Sequence, residues 1–531
     1  MAGKLSGSRR RSYTKSRAKN RQHLQKPSGA ITNRVTKVGG DRFAIVSIDP
    51  AKNRSEWMMA DYFGKLLIEP QTLEHQSGHF KAAIVLVRQA QQEHQIKDTI
   101  VVVERTGNYH LAPKRAFASA GFETRVVHPF ATKQYRMPAD PGNKTDETDL
   151  HAQHRAAVAG FGLCERELPI TYRELQLRSR HRRNLVEKSS SLACQIRDNL
   201  HLSMPGYAAL FDRLLENHTA MSVGRCCESP AKVLKLGRDG ICKRLRNESI
   251  RCNQRAIDKI LSWASQSADA PIQDGALHHA IFKDLDELNQ HLNRQITAIE
   301  RDLASVLVQT PYVRLMAIPG INVVSAADLA AEMGPIDGYA NANAITGRCG
   351  LFPSRHQSDQ TDSSGPIIRK ANRRLRCALM RIADNLAAHC AYYRGLAEQD
   401  FARGVDIRAS RVKTAKKISR LAFACLAGDQ PLKHPAFRSP DSILEKLREF
   451  HRLHQTPMQQ VLTDLTRAVE QLPGHTQGHE ATVVSKVLRE HAKRKRAPVG
   501  IGKLLTAVLA RLGVSPNDVS KTNSLEPEDR P

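Results

Sequence analysis

At 531 residues the chain exceeds what one hydrophobic core organises and predicts two or three domains. Its 81 Lys and Arg against 53 Asp and Glu leave a formal charge of +28 and a pI near 9.9. That excess is far beyond what solubility requires and points to a polyanionic partner, nucleic acid before any other. No run of roughly 18 apolar residues occurs, and no apolar core follows the basic N-terminus, so the expectation is a chain with no membrane span or secretory signal, located in the cytoplasm.

Residues 1 to 40 hold eleven Lys or Arg and no Asp or Glu, a composition that predicts a disordered basic arm over 1–41 able to contact phosphate. From Arg42 the pattern becomes that of strands. RFAIVSIDP is an apolar run ending in Asp49, and SEWMMADYF and GKLLIEPQ extend it as a meander. GHFKAAIVLVRQAQQEH has helical spacing, TIVVVERTG is a buried strand ending in Glu104, a helix is expected near Tyr109 to Ala120, and ETRVVHP is a further strand. The order predicts an α/β sheet covered by helices, in which catalytic side chains project from the ends of central strands.

NKTDETD, from Asn143 to Asp149, then opens the helical TDLHAQHRAAVAG. Asp146 and Asp149 fit an ordinary helix start, where carboxylates complement the dipole. Three residues apart, they also share a helix face. With Asp49 and Glu104 at strand ends they make four carboxylates at one sheet edge, a donor set suited to a hard cation such as magnesium and to phosphoryl transfer with two ions.

The middle of the chain is helical. Leu285, Leu288, Leu292, Ile296, Ile299 and Leu303 recur at heptad spacing, with a less regular counterpart over Arg173 to Leu202, which fits either a hairpin within the chain or a dimerising coiled coil. Cys226, Cys227, Cys242 and Cys252 lack the paired spacing of a zinc knuckle and are expected to be ordinary thiols, and the ten cysteines make no disulfide framework. AIPGINVVSAADLAAEMG joins a Pro-Gly turn to a small-residue helix, open to a DNA phosphate or to tight packing. Arg369, Lys370, Arg373, Arg374 and Arg376 lead into a helix carrying Leu375, Leu379 and Ile382, which predicts a basic face toward nucleic acid. Ser358, Ser363 and Ser364 lie in the polar stretch before it, with no adjacent base to single one out as a nucleophile.

IDPAK around Asp49, VVVERTGNYH around Glu104 and NKTDETDLHA around Asp146 and Asp149 resemble the amino-terminal RuvC-like domain of the insertion-sequence-110 family of DEDD transposases. The resemblance covers about residues 42 to 430. It implies an α/β RNase H-like domain, a helical coiled-coil region used in assembly, and a mainly α-helical transposase domain. The corresponding boundaries are 42–165, 166–312 and 313–430, followed by a helical accessory extension and tail over 431–531. It further implies that Asp49, Glu104, Asp146 and Asp149 bind catalytic magnesium, with Lys144 and Thr145 in support. GLFPSRHQSD and IIRKAN match the family's pattern when Ser358 is the catalytic serine. The departure is Asp359 where the family often has glycine, and the SSG at 363–365 makes Ser364 the second choice.

The same resemblance implies a phosphoserine link to DNA and donor and target DNA paired by a bridge RNA. It implies a dimer or tetramer in a bacterial nucleoid. A RuvC-like nuclease or Holliday-junction resolvase would use the same acids with water as nucleophile, and a noncatalytic scaffold would use only the charge. An actin-like ATPase is disfavoured, because no pair of Gly-rich phosphate loops occurs. In the extension, SILEKLREFHRLH and KLLTAVLARLG are expected helices, HAKRKRAP is basic, His475 and His479 are expected loop residues, and SLEPEDRP is an expected disordered end.

Overall fold

A computed structural model describes residues 28–472, apart from 139–140, 166, 268–273, 359–360, 429–431 and 439. The arm before residue 28, KLLTAVLARLG, HAKRKRAP, His475, His479 and SLEPEDRP lie outside the described residues. The chain divides into two units between Glu167 and Leu168.

The first unit begins with helix α1 (Thr32–Val38), followed by strands β1 (Phe43–Pro50), β2 (Arg54–Asp61) and β3 (Leu66–Glu74). Helix α2 (Ser77–Glu93), strand β4 (Asp98–Glu104), helix α3 (Leu111–Ser119), strand β5 (Glu123–Val127), helix α4 (Pro129–Arg136) and helix α5 (Asp146–Val158) complete it. The five strands lie in the order β3-β2-β1-β4-β5, the first three antiparallel, β1 with β4 and β4 with β5 parallel. This is the mixed sheet expected of an RNase H-like domain.

Both faces are covered, which is why β1 and β4 are nearly continuous apolar runs. Val46, Ile48, Val101 and Val103 pack with Val87 of α2 and Phe117 of α3 on one face. Ile45, Ile100 and Val102 pack with Ala131 of α4 and Ala156 and Ala157 of α5 on the other.

The disordered arm expected over 1–41 is contradicted over residues 28–41, which are folded. Ile31 is buried, and α1 is fastened by Arg34, whose Nε donates to Asp98 at 2.7 Å and whose Nη1 pairs with Glu123 at 2.7 Å. The basic composition that suggested disorder is here offset by two acids and the ring of Phe43, 5.6 Å from the Arg34 guanidinium carbon.

The second unit starts with the long helix α6 (Ile170–Ser203), then α7 (His218–Cys226), α8 (Pro230–Asn247), α9 (Gln254–Ser267) and α10 (Gly275–Leu307). The heptad stripe of α10 is used within the chain. Arg182 meets Glu300, Ser189 meets Asn289 and Asn199 meets His278, a descending order that makes α6 and α10 an antiparallel hairpin. Leu292 and Leu303 are buried and Leu285, Ile296 and Ile299 pack beside them, while Leu288 is exposed. Helices α7 to α9 close one core against this hairpin around Tyr207, Trp263 and Phe282. There the Sγ atoms of Cys226 and Cys227 lie 3.3 Å apart, and all ten cysteines of the chain are free thiols.

Helices α11 (Val323–Met333) and α12 (Ala342–Cys349), the hairpin β6 (Pro353–Ser358) and β7 (Thr361–Ile367), and helices α13 (Arg373–His389), α14 (Ala391–Ala402) and α15 (Ile407–Ala427) follow. Helices α16 (Asp441–Leu453) and α17 (Met458–Glu470) end the described chain. Leu444, Leu447, Leu462 and Leu465 share one core with α11, α13 and α15, so the extension packs inward as far as Leu472. Lys446 reinforces this by donating to the carbonyls of Met316, Ile318 and Ile321 at 2.6, 2.8 and 3.0 Å.

Among the described residues no helix is long and apolar enough to cross a membrane. α11 is buried on all sides, and its two acids are paired. Glu332 accepts from Arg180 at 3.0 Å, and Asp328 accepts from Arg381 at 2.8 Å. The Pro-Gly turn before α11 is a packing device. Gly320 has φ +92°, and a Cβ there would stand 2.7 Å from the carbonyl oxygen of Asn385. Gly320→Ala therefore lowers stability by roughly 2 kcal/mol or more, measured by denaturant unfolding, because both the backbone sign and the space are wrong for alanine. An unchanged midpoint would contradict this role.

Candidate active site

The acid site is built from the parallel register of β1 and β4. Ile48 stands level with Val103, which brings Asp49 and Glu104 side by side at the C-terminal ends of adjacent strands. Because strand side chains alternate, both carboxylates fall on the face of Ile45 and Val102, under α4 and α5. α5 begins where Thr145 caps it: the Thr145 hydroxyl accepts from Thr148 N at 3.1 Å, and Thr148 Oγ1 accepts from Thr145 N at 3.0 Å. Asp146 and Asp149 therefore occupy the first turn, as a helix start alone would have them. Asp146 is exposed, whereas Asp149 is 7% exposed and faces inward.

The four predicted acids are brought within electrostatic reach of one another. Burial, then the charges of Glu104, Asp149 and Asp146, push the Asp49 carboxyl up from 3.8 to about 7, with Lys144 opposing. Glu104 is also raised, first by burial and then by Asp149, while Thr132, Lys144 and Arg136 pull it down. Two of these neighbours were not read from the sequence. Thr132 and Arg136 lie four residues apart on α4, and Arg136 Nη1 donates to Asp149 Oδ1 at 2.7 Å with both side chains largely buried.

An oxygen-only donor set of this kind suits a hard divalent cation. Among the described residues, no three His, Cys, Asp or Glu side chains are drawn together closely enough to hold an ion. The charge is nevertheless concentrated there, and the polar demand around it is unmet. Ser47 Oγ, two residues before Asp49 on the same face, and both amide atoms of Gln153, one turn after Asp149, are buried without a hydrogen-bond partner. Buried groups left this way call for water or an ion's hydration shell. The residues present therefore fit a divalent cation, with Arg136 holding Asp149 in its place in this state.

In the second unit Ser358 ends β6, opposite Thr361, and Ser363 and Ser364 lie opposite His356 and Arg355. All three serines are exposed. Alternation puts Ser358 and His356 on one face of the ribbon and Arg355 on the other, where it clamps Asp362 at 2.8 and 2.6 Å. Ser364, paired with Arg355, takes the face opposite Ser358. Gly365, the glycine that favoured Ser364, lies against the Ser354 side chain across the hairpin.

The basic residues separate into two groups. Arg373 and Arg374 are exposed at the start of α13, and Lys370 is exposed just before it. Arg376 departs from the expected phosphate contact: its Nη1 donates to the carbonyls of Cys349 and Ile368 at 3.2 and 2.8 Å. One turn into α13, it faces the end of α12 and the foot of the hairpin.

Two protein-family sequence models match the chain. The DEDD-type model of insertion sequence 110, described as a transposase, covers residues 46–205, and the model described as transposase IS116/IS110/IS902 family covers residues 312–397. No curated protein matches it.

Asp49 keeps its proton up to about pH 7 in the fold and loses it near 3.8 when unfolded, so the folded protein binds the extra proton between those limits. Metal-free stability consequently falls as pH rises from about 4 to 7, by roughly 4 kcal/mol at most, and is flat above. Asp49→Asn removes Asp49's share of that slope and leaves the share of the raised Glu104, as thermal melts across pH will register. Arg136→Gln leaves Asp149 buried and uncompensated and lowers stability in chelator by about 2–4 kcal/mol. Adding Asp149→Asn to it recovers most of the loss, which a double-mutant cycle measures.

Proposed function

Since the chain belongs to the insertion-sequence-110 family of DEDD transposases, enzymes that cleave and rejoin DNA, we propose that it transfers DNA strands through a serine-linked intermediate. The DEDD family implies divalent-metal dependence. We assign that role to Asp49, Glu104, Asp146 and Asp149, with magnesium, as two ions, the cation. The observation that carries the reading is that these four acids lie within electrostatic reach of one another under α4 and α5, with the Asp49 carboxyl pushed up to about 7 by burial and then by the other three.

A divalent ion bound there supplies Lewis-acid polarisation of phosphate oxygens. The chain's own residues do the rest. β1 and β4 fix two carboxylates rigidly, the capped first turn of α5 presents the other two, and Lys144 and Arg136 temper their repulsion until a cation does so. Ser358 is the nucleophile. Its hydroxyl oxygen forms an ester to phosphorus as the bond to the leaving sugar oxygen breaks, and its proton passes through solvent to that oxygen. Attack by the hydroxyl of another strand reverses the exchange, frees the serine and joins the DNA. Ser358 is preferred to Ser364 because it ends its strand beside the hairpin tip and shares a face with His356.

Exposed Lys370, Arg373 and Arg374 hold the phosphate backbone in this reading, and the overall charge serves a bridge RNA as well as donor and target DNA. The assembly is a dimer or tetramer, in a bacterial cytoplasm and associated with the nucleoid. Most of the heptad stripe packs within the chain, and Leu288 stays exposed on α10.

The test is cleavage and strand transfer on supercoiled DNA carrying the element's ends, with its flanking RNA and magnesium. Wild type forms a protein–DNA adduct that survives denaturation. Ser358→Ala and Asp146→Asn each abolish it, by at least about a hundredfold in rate, and Ser364→Ala retains it. Cleavage by Ser358→Ala with no adduct from any variant would make water the nucleophile and a RuvC-like nuclease or Holliday-junction resolvase the better description.

A further inference from the structure

The cations of α6 that face α10 and α11 are spent on internal acids. On α6, Arg180 pairs with Glu332 and Arg182 with Glu300, at 3.0 and 2.6 Å, and Arg178 pairs with Asp302. α15 is different. It carries Arg408, Arg411, Lys413, Lys416, Lys417 and Arg420 and no acid between Ile407 and Ala427. Arg411 is paired with Asp384 and Lys413 with Asp400, but Lys416, Lys417 and Arg420 form no ion pair among the described residues.

The helix is two-sided. Ala415, Ile418, Ala422 and Cys425 are buried in the core, while Lys413, Lys417, Arg420 and Ala424 are exposed at the four- and three-residue spacing of a single helical stripe. Its middle lies against the serine hairpin's own support. Ser419 Oγ meets Thr346 Oγ1 of α12 at 3.2 Å, and α12 ends at Cys349, whose carbonyl Arg376 ties to the start of α13 and the foot of the hairpin. Unpaired cations on a helix braced against that junction have one chemically apt occupant, a regular polyanion.

We propose that Lys416, Lys417 and Arg420 form a track for a phosphodiester backbone that continues the surface of Arg373 and Arg374 into α15, beyond the region matched by either family model. The track rests on the reading of the chain as a nucleic-acid enzyme, and it adds a binding element to that reading. Duplex DNA and structured RNA share the chemistry it recognises, so the experiment distinguishes them.

The full-length protein is titrated with a duplex of DNA and with an RNA hairpin between about 50 and 200 mM salt, and anisotropy gives the affinity and its salt slope. Lys417→Gln/Arg420→Gln is compared with Lys235→Gln/Lys243→Gln, an equal loss of charge from exposed positions on α8. The α15 pair is expected to weaken binding roughly tenfold and to lower the slope by about two on the duplex, or by slightly less on a single-stranded ligand. The α8 pair leaves both unchanged, and Lys417→Arg/Arg420→Lys restores wild-type binding and guards against misfolding. The nucleic acid whose slope changes is the track's ligand. Equal behaviour of the α15 and α8 pairs, with wild type binding normally, overturns the track alone. Failure of wild type to bind either nucleic acid overturns the track and the functional reading together.

Discussion

The parallel register of β1 and β4 brings Asp49 beside Glu104, and everything else at the acid site is arranged around that pair. A shift of one residue in either strand would send one carboxylate to the opposite, apolar face, where Trp57 and Phe117 lie. The register is enforced from both sides by apolar layers, so two acids that repel each other are held by packing they do not contribute to. This explains how Asp49 is kept protonated up to about 7 in a chain with so many cations. The long-range positive charge is screened, whereas burial and three adjacent carboxylates act at close range.

Charge compensation separates the two units. In the first, Arg136 and Lys144 oppose the acids without matching them, and buried Ser47 and Gln153 remain unpartnered. In the second, the acids of α11 and α10 are answered by arginines from α6 and α13, and exposed cations without an ion pair among the described residues include Lys417 and Arg420 of α15 and Arg373 and Arg374 at the start of α13. One unit therefore carries a deficit of positive charge at a buried site, and the other a surplus on exposed helix faces. Those are complementary requirements for an enzyme acting on a phosphodiester.

Much of the first unit was legible in its strands, because runs such as AIVSI and TIVVV are short, β-branched and bounded by turn residues, and each ends on an acid. α4 was not legible. PFATKQYR follows β5 directly, and only Pro129 was read, as the end of the strand ETRVVHP, although proline at a first turn is a helix-start signal; Thr132 and Arg136 were missed with the unassigned rest. α1 was hidden by the basic composition around it, since nothing local announces that Asp98 and Glu123 will meet Arg34. The heptad leucines identified α10 as a packing helix, but a stripe of leucines does not name its partner, and the partner is α6. Arg376 was indistinguishable in sequence from Arg373 and Arg374, because only the fold brings the carbonyls of Cys349 and Ile368 within its reach.

The claim that the four acids form a cation site is tested most directly by calorimetric titration of magnesium into the DNA-free protein at pH 6.5, in two buffers of different ionisation enthalpy. Saturable binding accompanied by proton release is expected, because the cation must displace the proton held by Asp49, and Glu104→Gln is expected to lose both. Absence of saturable binding, or binding unchanged in Glu104→Gln, would contradict it.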